Sequence, residues 1–239
     1  MSGHSKWSTI KREKGAKDAK RGAVFTRIGN QIAIAARHGI DPTMNSVLAM
    51  AIESAKQANM PAVNIQRAID RVADKNAAVL EETTYEGIGP GGVGIIIETA
   101  TDNKNRTFPE VRSALTKHGG RVADAGSVMF QFTRKGVIHV VASGEDALMT
   151  ILEAGAEDAV EEAGVIIVYT DQKELAKVRQ AILNAGLLVE AAELQYVPNS
   201  QVIIEDPEVA TKVLRILDVL DDLDDVVNVH TNADITVEV

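Results

Sequence analysis

Residues 165–186 read Val165-Ile-Ile-Val-Tyr-Thr-Asp-Gln-Lys-Glu-Leu-Ala-Lys-Val-Arg-Gln-Ala-Ile-Leu-Asn-Ala-Gly186. A β-branched apolar run stops at Asp171. From Leu175 the apolar residues recur at helical spacing, as Leu175, Val178 and Ile182. Asp171 and Glu174 form a capping box at the join, and Gly186 ends the helix. The stretch therefore predicts a strand feeding a helix. Outward from it, a strand near 158–162 makes a hairpin with 165–170. Helix 145–154, ending at Gly155, precedes that hairpin, and strand 136–142 precedes the helix. Strand 188–197 closes the block. Residues 136–197 thus read βαββαβ, a complete ferredoxin-like unit.

The flanks are shorter. On one side, strand 93–100 leads to Thr107-Phe-Pro-Glu110, a capping box with Thr107 as N-cap. That helix stops at Gly119-Gly120, and a strand near 127–133 follows. On the other side come strand 201–205, a helix started by Asp206-Pro207, and a last strand near 226–231. Each flank is only βαβ and leaves an apolar face exposed, whereas the two together make a second βαββαβ. Upstream, three apolar stripes fall at helical spacing: Phe25, Ile28, Ile32 and Ala35; Leu48, Ala51, Ile52 and Ala55; Ile65, Ala68, Ile69 and Val72. Arg37-His38-Gly39 ends the first helix, and Asn59-Met60-Pro61 separates the second from the third. The expected fold is α+β: an N-terminal three-helix bundle plus two ferredoxin-like α/β-sandwich domains, one inserted in the other. The expected limits are 1–75 for the bundle with its arm, 76–134 and 199–239 for the discontinuous domain, and 135–198 for the inserted one. Residues 73–92 read as a polar linker.

Charge is split along this plan. The 239 residues carry a net charge of −9, yet residues 1–27 hold eight Lys and Arg against Glu13 and Asp18, net +6. Residues 1–75 are net +7 and residues 76–239 net −16. A concentrated positive segment on an acidic protein calls for a polyanionic partner, and nucleic-acid phosphate is the commonest. The candidate contacts are Lys6, Lys11, Arg12, Lys14, Lys17, Lys20, Arg21 and Arg27. Trp7, the single Trp, lies among them, placed to stack on a base or to anchor the arm to the bundle. In the loop Thr101-Asp-Asn-Lys-Asn-Arg-Thr107, Lys104 and Arg106 precede a helix N-terminus and make a second candidate contact.

Composition and motifs exclude much else. Hydrophobic content of 45% supports a buried core. The absence of Cys removes disulfides, thiol nucleophiles and zinc–thiolate sites. No apolar run approaches the ~20 residues of a membrane span. His4, His38, His118, His139 and His230 are scattered, without metal-ligand or triad spacing. Gly87-Ile-Gly-Pro-Gly-Gly92 matches G-x-G-x-x-G, but a strand follows it where a dinucleotide fingerprint opens a helix. Asp221-Asp222-Leu-Asp224-Asp225 lacks the Gly and terminal Glu of a calcium loop and reads as solvated charge over a helix end. Phe130 and Phe132 read as core residues on one strand face. No helix-turn-helix signal is recognised. The reading is of a non-enzyme with no cofactor, no metal and no small-molecule substrate.

Several motifs together resemble the YebC/PmpR family: Gly3-His-Ser-Lys-Trp7 with Ile10-Lys11, Lys14, Asp18 and Phe25; Asp41-Pro42 with Asn45; Asn59-Met-Pro61 with Ile65 and Arg67-Ala-Ile69; Tyr85-Glu-Gly with Gly89-Pro-Gly-Gly92; Thr101 to Thr107; and Gly155-Ala-Glu-Asp158. The similarity runs over essentially the whole chain. It implies a three-domain, non-catalytic, cytoplasmic regulator of gene expression, with no cleaved presequence ahead of Gly3. The family is described both as DNA-binding transcriptional regulators and as ribosome-associated factors that bind ribosomal RNA and relieve stalled translation. The resemblance leaves both open. The Gly-, Lys- and Trp-bearing arm leans slightly to irregular RNA.

Overall fold

The computed structural model describes residues 21–72, 79–162 and 164–237. The fold is α+β. By contacts the described residues fall into two compact units, one of residues 133–197, the other of those up to 132 and from 198 onward.

The larger unit begins with three helices, α1 (Arg21–Ala36), α2 (Ser46–Gln57) and α3 (Ala62–Asp70). Their apolar stripes meet: Ile28, Ile32, Ala35, Leu48, Ala55, Ile65, Ala68 and Ile69 are buried in one cluster, with Phe25, Ala51 and Ile52 packed at its margin, whereas Val72, expected in the third stripe, lies beyond the end of α3 and is exposed. Asn45 caps α2 by accepting from Leu48 N–H at 3.1 Å. Its amide also donates to the Ala35 and Gly39 carbonyls at 2.8 and 2.7 Å, so one side chain ties the end of α1 to the start of α2.

The sheet of this unit contains β1 (Glu81–Ile88), β2 (Gly94–Thr101), β3 (Arg121–Val122) and, late in the chain, β9 (Val226–Thr231), in the order β3-β1-β2-β9. Two helices, α4 (Lys104–Thr116) and α7 (Pro207–Asp221), belong with it. Their apolar faces close over one side of the sheet, where Ile95, Ile97, Val111, Leu115, Val213, Ile216, Leu217 and Leu220 are buried together. Alternation along β2 sends Ile96 and Ala100 to the opposite face, and these are buried as well. Helix α1 contacts β2 and β9.

The smaller unit holds most of β4 (Phe132–Val141), then α5 (Glu145–Glu153), β5 (Asp158–Glu162), β6 (Val165–Asp171), α6 (Leu175–Asn184) and β7 (Leu188–Pro198). Strand order is β5-β6-β4-β7, the ferredoxin-like arrangement of a βαββαβ chain. Gly136 lets β4 and α6 approach: a Cβ there would lie 2.3 Å from Thr170 Oγ1 and 2.8 Å from Leu175 Cβ.

Several local expectations are corrected. The linker read over 73–92 contains β1. Its Glu and Thr residues mask the strand, but every residue of it pairs with β2, from Glu81 opposite Thr101 to Ile88 opposite Gly94. The strand expected near 127–133 is a 3₁₀ turn at Met129–Gln131 that runs into β4. Phe130 is therefore 72% exposed while Phe132 is buried, and the two do not share a core face. The strand expected at 201–205 is β8 (Val202–Ile204). It lies outside the main sheet and pairs in parallel with β10 (Ala233–Ile235). The pooled βαβ halves therefore do not supply the sheet strand for strand, because β1 takes a place that the sequence reading left empty. Helix α4 starts earlier than the Thr107 box suggests. Asn103 is the N-cap, accepting from Arg106 N–H at 3.2 Å, and Pro109 sits inside the helix. At α6 the N-cap is Glu174, and Asp171 accepts instead from Lys173 N–H.

Candidate nucleic-acid interface

The basic segment leads directly into α1. Lys6, Trp7, Lys11, Arg12, Lys14, Lys17 and Lys20 lie outside the described residues, and Arg21 is the first residue of α1. What the structure does show is how the helix carrying that segment is held. Arg27 forms an ion pair with Asp221, both side chains less than a fifth exposed. One turn on, Asn30 Nδ2 donates to the Asp224 carbonyl at 3.4 Å and Asn30 Oδ1 accepts from Arg71 Nη1 at 3.4 Å. Residues three apart on a helix share a face, so Arg27 and Asn30 grip the same acidic turn. Arg27, read from sequence as a phosphate contact, is thereby engaged with a carboxylate of the protein itself.

In the acidic turn 221–225, Asp222 and Asp224 are exposed as solvated charge would be, whereas Asp221 and Asp225 are drawn into the protein. Asp225 is only 7% exposed. Its Oδ2 accepts from Thr101 Oγ1 at 3.0 Å and Thr107 Oγ1 at 2.6 Å, and Arg106 Nη2 donates to both its oxygens at 2.8 Å. Burial pushes the Asp225 carboxyl up, and the hydrogen bonds from Thr107, Arg106 and Thr101 outweigh it, so it titrates below the usual aspartate value. Arg106 also reaches Asp102 at 3.2 Å, and Lys104 pairs with Glu81 at 2.7 Å. The second candidate contact, Lys104 and Arg106, is thus built of cations already paired with three carboxylates, those of Glu81, Asp102 and Asp225. These ion pairs fix the loop 101–107 against β1 and the turn before β9.

A second carboxylate is used in the same way. Glu86, on β1, accepts the backbone N–H groups of Gly126, Val128 and Met129. Burial raises its titration point, and those three N–H bonds together bring it below the usual glutamate value. Sequence reasoning missed both carboxylates. Their partners lie 40 or more residues away, and an acid in a strand or a turn carries no local sign of them.

Among the described residues no group of three His, Asp or Glu side chains is arranged to hold a metal ion, and no helix is long and apolar enough to cross a membrane.

Residues 5–75 match the family model described as the TACO1/YebC protein N-terminal domain, and residues 80–233 match that of the TACO1/YebC second and third domain. The chain belongs to the TACO1/YebC family. Curated family relatives include a probable transcriptional regulatory protein of Rubrobacter xylanophilus, 48% identical over 245 residues that span 100% of this chain and 98% of the relative. Another, of Moorella thermoacetica, is 46% identical and covers 98% of this chain and 96% of its own. The crystal structure of a conserved hypothetical protein from Aquifex aeolicus superposes with a TM-score of 0.87 at 41% identity, covering 93% of each chain. TACO1/YebC membership and these relatives support a role in regulation.

Proposed function

We propose that this TACO1/YebC chain is a non-catalytic, nucleic-acid-binding regulator of gene expression. Its contact surface is the basic segment of Lys6, Trp7, Lys11, Arg12, Lys14, Lys17, Lys20 and Arg21. DNA is the partner and transcription the process regulated. The observation that carries the reading is the reversal of charge along one chain, net +7 over residues 1–75 against net −16 beyond. Arg27 is reassigned to holding α1 against Asp221. The domain limits 1–75, 76–134 with 199–239, and 135–198 belong to the same proposal. So does a cytoplasmic site of action. The translation-factor reading, in which the arm binds ribosomal RNA, is the second reading, favoured by the arm's mix of Gly, Lys and Trp.

The test is the salt dependence of binding. Each phosphate neutralised on duplex DNA adds about −0.9 to the slope of log affinity against log salt, and about −0.7 on a single strand. Replacing Lys11 and Arg12 by Ala should flatten the duplex slope by up to about two. An unchanged slope would remove the arm from the interface. Trp7→Ala, measured alongside, should weaken binding by roughly 1–3 kcal/mol at nearly constant slope if the indole stacks on a base.

A further inference from the structure

Helices α2 and α3 are joined by four residues, Ala58 to Pro61. Asn59 sits in the left-handed region at φ 58°, the single non-glycine residue among those described that does so. Asn tolerates this conformation better than other non-glycine residues. Asn59 N–H donates to the Lys56 carbonyl at 3.0 Å and Met60 N–H to the Ala55 carbonyl at 2.9 Å, which closes the end of α2. Met60 then turns into the core, and Pro61 opens α3 as its N-cap. A four-residue connection through one left-handed residue matches the turn length of a helix–turn–helix. Sequence reading finds no such signal because Asn59 stands where glycine is usual.

The second helix of that pair has a buried and an exposed stripe. Ile65, Ala68 and Ile69 are buried. Val63, Gln66, Arg67 and Asp70, at i, i+3, i+4 and i+7, form one outward line. Val63 is 68% exposed, a large β-branched residue that packing leaves unused. Asp70 accepts from Gln66 Nε2 at 2.9 Å, which orients the Gln66 amide. These side chains match base-edge chemistry. Arg binds guanine O6 and N7, Gln binds adenine N6 and N7, and an apolar group packs on the thymine methyl. An α-helix with its side chains is about 10–12 Å across, which a major groove about 12 Å wide admits.

We infer that α3 is a DNA-reading helix, with Val63, Gln66 and Arg67 directed at base edges in the major groove of a duplex. Helix α3 is itself neutral, with Arg67 balanced by Asp70, and the affinity for a polyanion comes from the domain that carries it, residues 1–75 being net +7 in an otherwise acidic chain. The inference rests on the proposed role of the arm for its sequence-independent affinity, while α3 supplies the discrimination.

The experiment is selection of a randomised duplex library by the full-length chain, followed by anisotropy measurements on a selected duplex and a scrambled one. The full chain should enrich a defined sequence. Arg67→Ala should lower affinity for that sequence roughly 5- to 100-fold, relax selection at one base pair, and leave the scrambled duplex nearly unaffected. Gln66→Ala should relax a neighbouring position. Both side chains are exposed, so thermal melting of the variants should match the parent. Lys11→Ala with Arg12→Ala should instead weaken both duplexes alike. Salt-dependent binding without any enriched sequence would overturn the inference and leave the arm in place. Equal loss on both duplexes from Arg67→Ala would make Arg67 a phosphate contact and overturn it too. Preference for a folded RNA over every duplex would overturn it in favour of RNA. Binding indifferent to Lys11 and Arg12 would mark failure of the arm reading instead.

Discussion

Asp225→Ala removes the carboxylate on which the turn before β9, the end of β2 and the first turn of α4 converge. Two hydroxyl protons are lost from it, those of Thr101 and Thr107, each donated to a buried, charged acceptor. Hydrogen bonds to charged groups contribute about 1.5–3 kcal/mol each. Thr101 and Thr107 lie 2.8 Å apart and re-pair in part with one another, so the low end applies and the loss is about 3 kcal/mol. Arg106 is half exposed and is left out of that figure. For a unit of this size about 3 kcal/mol corresponds to a fall in Tm of roughly 6–12 °C. Calorimetry at pH 7 of the parent and the variant measures it. The difference should also depend on pH in one direction. The folded carboxyl titrates below the usual aspartate value of about 3.9. Above that value both folded and unfolded chains are ionised, and the contribution is complete. As pH falls below it, the unfolded chain takes up a proton that the folded protein still excludes, so the contribution is lost toward the lower folded value. Parent and variant should therefore converge in acid. A variant that melts within about 1 °C of the parent at pH 7 would show that the network around Asp225 contributes no net stability. A gap that widened in acid would refute the assignment of the ionised form.

Gly136→Ala should destabilise residues 133–197 by about 1–3 kcal/mol through overpacking against Thr170 and Leu175, seen as a lower urea midpoint; an unchanged midpoint would mean that β4 and α6 separate freely. A fragment of residues 135–198 should unfold cooperatively by itself, while one ending near 134 should lack a cooperative transition beyond the helices, because β9 supplies an edge of its sheet. Circular dichroism on heating decides this, and a broad melt of the 135–198 fragment would remove the proposed limits.

The local sequence determined the elements whose signal is periodic and self-contained. Strand 165–171 and helix 175–184 could be read directly because β-branched residues stop where the helical stripe of Leu175, Val178 and Ile182 begins. The bundle was legible for the same reason, in the stripes of α1, α2 and α3. The charge reversal that motivates the functional proposal is likewise a property of the sequence alone. Tertiary structure decided what depends on distant partners. Glu81-Glu-Thr-Thr-Tyr-Glu-Gly-Ile88 has no strong strand pattern, and it is a strand because β2 offers a paired edge on one side and β3 on the other. Asp221 and Asp225 look like solvated acid in sequence. They become structural because Arg27 lies 194 residues away and Thr107 lies 118 residues away, and folding brings both to the same turn. The outward stripe of α3 is present in the sequence, but only packing of Ile65, Ala68 and Ile69 into the bundle shows which face is left to meet another molecule. Periodicity fixes which residues share a face, whereas the choice of covered face, and the pairing that neutralises buried charge, are made by contacts between segments far apart in the chain.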